Sequence, residues 1–120
     1  MQATKTVERL KKRVLKFVTS KEIMKWDIML TLKNLERDSK SGKYPYGESW
    51  PETKEIYLNP FKGPFADFAA TAIHEILHGI RKHAGEKLIR RWERAIWYSM
   101  TPAERTLFIN SFFQHVYWGD

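Results

Sequence analysis

Residues 63–80 read GPFADFAATAIHEILHGI, and this stretch decides both the fold and the chemistry to be expected of the chain. Pro64 suits the first turn of a helix. Apolar residues then return at Phe65, Phe68, Ala69, Ala72, Ile73, Ile76, Leu77 and Ile80, the three-and-four spacing of one helical face. At about 100° per residue, His74 and His78 fall roughly opposite that stripe, beside the small residues Ala70 and Thr71. Two histidines four apart on a helix point the same way and can hold one metal ion. Glu75, turned about 100° from His74, is placed to take a proton from a metal-bound water. The competing reading is two solvated histidines on an ordinary amphipathic helix, and a Glu at the required position argues against it.

A catalytic zinc takes three protein ligands and keeps one position open, so a third ligand is needed. His83, Glu86, Glu93 and His115 lie downstream. Gly85 predicts that the first helix ends near Ala84-Gly85. Leu88, Ile89, Trp92, Ile96 and Met100 predict a second helix over 86–100, forming a hairpin with the first. A tight turn there sets residue 93 level with the histidines. Glu93 also shares a direction with Ile89 and Met100, and an inward carboxylate is costly unless paired or coordinated. Glu93 is therefore the expected third ligand. A longer connection after Gly79 would deliver Glu86 instead, whose other role is that of a helix-start acid favoured by the macrodipole. His83, about 140° further round than His78, ranks third. The metzincin pattern is absent, because the positions three and six after His78 are Arg81 and Ala84. A gluzincin-like set with a Glu ligand fits better.

On these residues the chain resembles the compact zincin metallopeptidases, in particular the minigluzincins and the small metallopeptidases often encoded by phages and other mobile elements. The likeness covers residues 44–100, since Tyr44 to Pro60 looks like the strand segment that these families set before the active-site helix. It implies an α+β, zincin-like fold and a zinc metalloendopeptidase acting on a peptide or protein substrate. One Zn²⁺ per chain would be held by His74, His78 and a Glu of the next helix, Glu93 or Glu86, with Glu75 as general base.

The 120 residues, 42% hydrophobic and 14% aromatic, suffice for a single domain with a basic part, 1–43, and a catalytic part, 44–120. Without cysteine, disulfides and thiolate ligands are excluded, and any zinc site must use His and carboxylate. No apolar run approaches the roughly 20 residues of a membrane span and no secretory h-region opens the chain, so a cytoplasmic protein is expected. The charge is uneven: residues 1–43 hold 12 Lys or Arg against 5 Asp or Glu, and the remainder is neutral. Val7, Leu10, Val14, Phe17 and Val18 predict an amphipathic N-terminal helix whose other face carries Lys5, Arg9, Lys12, Arg13 and Lys16. That face is either a solvated surface or a contact for nucleic acid, an acidic partner or an anionic membrane.

Alternation through Trp26 to Leu32 predicts a half-buried strand, and Glu55 to Asn59 a second one stopped by Pro60. Between them, a polar loop through Asp38 to Gly42 and breaks at Tyr44 to Gly47 and Trp50-Pro51 limit the sheet to two to four strands. Thr101-Pro102-Ala103-Glu104 predicts a capped final helix, with Leu107, Phe108, Phe112, Val116 and Trp118 as packing residues. An oxyanion helper could be Tyr44, Tyr46, Tyr98 or His115, unranked, and an extended substrate could add to the strand around Ile56. Two other classes stay open. One is a nucleic-acid-associated or regulatory protein on a zincin scaffold, and the other is a structural metal site closed by a fourth ligand such as His83 or His115.

Overall fold

Val7, Leu10, Val14 and Val18, spaced for one helical face, are all buried on α1 (Lys5–Thr19), whose first turn is capped by the Thr4 hydroxyl accepting from Val7 N at 3.1 Å. The computed structural model describes residues 4–32, 47–60 and 65–119. The expected loop from Asp38 to Gly42, Tyr44 and Tyr46, and the Gly63-Pro64 helix start lie outside the described residues. After α1 come a short 3-10 helix (Lys21–Lys25), β1 (Asp27–Leu30), β2 (Gly47–Trp50), β3 (Glu55–Leu58), α2 (Phe65–Ile80), α3 (Glu86–Ser99), α4 (Pro102–Phe113) and β4 (Val116–Trp118). The class is α+β. No helix among the described residues is long and apolar enough to cross a membrane.

The strands form one mixed sheet in the order β2-β3-β1-β4, with β1 parallel to both β3 and β4 and β2 antiparallel to β3. Ile28, Ile56 and Leu58 turn inward and are fully buried, whereas Asp27, on the other face, is exposed. The strand around Ile56 is thus interior, paired on both sides, and cannot accept an added strand. The edge nearest α2 is β2. Its Gly47 packs directly against α2: a Cβ there would stand 2.7 Å from Thr71 Cγ2 and 3.0 Å from both Glu75 Oε2 and Leu58 Cδ2. The breaks around Gly47 and Trp50 hid this strand in the sequence.

The core joins the sheet to all four helices, with Phe108 and Phe112 of α4 stacked at 5.7 Å and both fully buried. Lys11, 7% exposed, ties three elements together: its Nζ lies 3.3 Å from Glu8 Oε2, 3.3 Å from Glu104 Oε1 and 3.5 Å from the Ser99 carbonyl. Glu104 also closes the capping box with Thr101 that the sequence predicts for α4.

Three further details differ from the sequence reading. The first is that α2 stops at Ile80, where its apolar stripe stops, so that Arg81, Lys82 and His83 are exposed in a five-residue connection to α3. The second is that Leu107, expected to pack, is exposed, as is Leu88 of the apolar pattern of α3. Val116 and Trp118 belong to a fourth strand beside β1, with Trp118 exposed; a three-residue strand is too short to show a period of two.

Because β2 approaches α2 only through a missing side chain, Gly47→Val should force the two apart. A loss of about 1–3 kcal/mol is expected in chemical denaturation, the range for overpacking a filled interior, and an unchanged midpoint would mean that the contact is loose.

Candidate metal centre

The apolar stripe of α2 is not its only buried face. His74 is 8% exposed and Glu75 is 5% exposed, because α3 covers the histidine side and β2 covers the side of Glu75. The polar face of α2 is therefore an internal one, where polar groups need partners. His74 has two: its Nδ1 lies 2.7 Å from Glu93 Oε1 and its Nε2 lies 2.6 Å from Glu86 Oε1. His78 Nε2 lies 2.9 Å from the other oxygen of Glu86 and 3.1 Å from His74 Nε2.

Three side chains thus meet: the Nε2 atoms of two histidines one turn apart, and a carboxylate from the first residue of the next helix. Among the described residues, His74, His78 and Glu86 form the group able to hold a metal ion, with ligand atoms all within 4.8 Å of one another. A tetrahedral zinc at about 2.0–2.2 Å from its ligands separates them by roughly 3.3 Å, so side-chain shifts well under about 1 Å would suit these atoms to an ion. The donor set, two imidazoles and one carboxylate, is also of the kind zinc takes at catalytic sites.

The expectation of Glu93 as third ligand rested on a tight turn near residue 84. With α2 ending at Ile80 and α3 starting at Glu86, the longer connection brings the start of α3 to the histidines. Glu93, two turns on, meets the opposite nitrogen of the same ring. It is an inward carboxylate, as its helical position requires, and it finds its partner in His74 Nδ1. His83 is exposed in the connection. Tyr98 is exposed on α3, about 140° round from Glu93, and His115 lies in the turn between α4 and β4; neither joins the group.

The electrostatics follow from burial and these partners. Desolvation pulls His74 down, but hydrogen bonds to Glu86 and Glu93, helped by the charges of Glu75 and Glu86, raise its pKa to about 10. Glu86, accepting from His74 and then from His78, is held well below the usual carboxylate range. Arg90 Nε, one turn along, lies 3.5 Å from Glu86 Oε1. For Glu75, burial is the largest influence and pushes the carboxyl up to about 7 against the pull of His74 and His78. A base with a pKa near neutrality is the kind that general-base chemistry uses.

No family model, curated protein or solved structure matches this chain.

Glu75 links the site to folding stability. Its carboxyl ordinarily titrates at 4.5 and at about 7 in the fold, so the fold binds this proton more tightly than the unfolded chain does. The stabilisation is complete below the lower value and is lost as pH rises through the upper one. In chelator-treated protein, Glu75→Gln should raise the melting temperature at pH 8, by an amount corresponding to at most about 3 kcal/mol, and change it little at pH 5. An equal effect at both pH values would show that the carboxyl is not held up.

Proposed function

We propose that this α+β chain is a zincin-like zinc metalloendopeptidase, in which His74, His78 and Glu86 hold one Zn²⁺ and Glu75 is the general base. The observation that carries the reading is the convergence of both Nε2 atoms on the two oxygens of Glu86, at 2.6 and 2.9 Å, from residues on separate helices. On a solvated surface neither ring would be held, whereas His74 is buried against two carboxylates and the half-buried His78 meets one of them.

Zinc held there would supply an acidified water as nucleophile and polarise the carbonyl under attack. The remaining work falls to side chains of the chain itself. Glu75, next to His74 on the same helix, would take up a proton from the attacking water and pass it to the departing amine nitrogen. Burial raises its proton affinity above that of an exposed carboxylate, which favours uptake of the proton. Glu93 fixes the ring of His74: a carboxylate on Nδ1 leaves Nε2 for the metal and raises the basicity of the ligand. The group has three protein members among the described residues, which favours an open, catalytic position over a closed structural site.

Elemental analysis and peptide-hydrolysis assays on the same preparations test this. The parent protein should retain one zinc per chain. Glu86→Ala should lose it, and Glu93→Ala should bind it about 10- to 100-fold more weakly, the usual cost of removing a partner behind a ligand. Glu75→Gln should keep the zinc and lose most hydrolysis. Zinc retained by His74→Ala, His78→Ala would refute the site, and undiminished hydrolysis by Glu75→Gln would refute the assigned base.

A further inference from the structure

We propose that the outer face of α1 docks on the phosphate backbone of double-stranded nucleic acid. The exposed residues of α1 are Lys5, Thr6, Arg9, Lys12, Arg13, Lys16 and Thr19: cations and threonines, with no apolar side chain among them. At about 100° per residue the five cations fall within roughly 100° of one another, opposite the buried Val7, Leu10, Val14 and Val18. None of the five forms an ion pair with another described residue. The one cation of the helix that does, Lys11, is turned inward and held by Glu8 and Glu104, so the acid of α1 is engaged beside the stripe rather than on it.

The character of the face selects the partner. A membrane-surface helix needs a free apolar face to enter the lipid, and that of α1 is spent on the core. A protein interface is anchored by buried aromatic or aliphatic side chains, which this face lacks. A phosphate backbone asks only for cations and hydrogen-bonding groups such as threonine, with no apolar anchor. The dimensions agree as well. Lys5 to Lys16 spans about 16 Å of helix, and one strand of a duplex presents a phosphate every 3.4 Å of its axis, so five cations meet about five phosphates. Such contacts carry no base readout, so the binding is independent of sequence. The inference stands apart from the metal centre, and neither depends on the other.

Fluorescence anisotropy with a labelled 20-base-pair DNA duplex, titrated between 50 and 200 mM NaCl, tests it. The full chain should bind with a log–log salt slope of about −4.5, losing roughly 500-fold in affinity across that range. Combined Arg9→Gln, Lys12→Gln, Arg13→Gln and Lys16→Gln, all outward substitutions, should keep the helical circular dichroism and the melting temperature while the slope flattens to about −1. A control with Arg81→Gln, Lys82→Gln and Lys87→Gln should bind with a slope closer to that of the parent. No binding by the parent at 50 mM NaCl would overturn the proposal, whether or not the protein binds vesicles of anionic phospholipid. So would a four-site variant that behaves like the parent, or a control that loses as much as that variant.

Discussion

An imidazole buried against two carboxylates is the constraint around which the α2–α3 half of the molecule is arranged. His74 sits inside, and a buried ring with two polar nitrogens is tolerated only when both are satisfied. Glu86 and Glu93, two turns apart on α3, meet the two nitrogens from the same side of the hairpin. That requirement fixes both the height and the rotation of α3 relative to α2, because a one-residue slip would turn either carboxylate about 100° away. The apolar contacts of Ile89, Ile96 and Trp97 hold the helix down, but apolar packing is non-directional. The polar contacts choose the register.

On the opposite flank of α2, the constraint is space. Glu75 is covered by an edge strand that can come so close only because residue 47 has no side chain. Burial there does two things at once: it raises the proton affinity of the carboxyl, and it costs stability above neutral pH. Adjacent residues of one helical turn thereby acquire opposite electrostatic settings. His74 is stabilised in its charged form by two acids, and Glu75 is destabilised in its charged form by the lack of water. A divalent ion replacing the protons shared between the histidines and Glu86 would relieve part of that cost.

Much of this could be read from the residues, and the failures have identifiable causes. The helical spacing from Phe65 to Ile80 predicts α2, the Thr101 box predicts the start of α4, and the residue types of 74–78 single out the buried polar cluster. The choice between Glu86 and Glu93 turned on where α2 ends, which Gly85 misplaced by four residues; the true stop is the last apolar position, Ile80, and Gly85 instead caps the start of α3. Both carboxylates proved to face His74, on different nitrogens, a distinction that depends on side-chain geometry rather than spacing. Strand β4 escaped because three residues are too few for alternation, and β2 because it lies among Gly and Pro residues that read as turns. The basic pattern of α1 was plain in sequence; that it contains no exposed apolar residue, and that Lys11 leaves it for the interior, required the structure.

In the proposed site, two imidazoles of α2 and the carboxylate of Glu86 share one ion. Zinc K-edge X-ray absorption on protein loaded with one equivalent addresses it without relying on turnover. Two imidazole nitrogens and light oxygen scatterers are expected at about 2.0–2.2 Å, with the imidazole pattern kept in Glu93→Ala and an oxygen ligand lost or replaced by solvent in Glu86→Ala. A spectrum with fewer than two imidazoles, or one that Glu86→Ala leaves unaltered while Glu93→Ala changes the innermost shell, would contradict it.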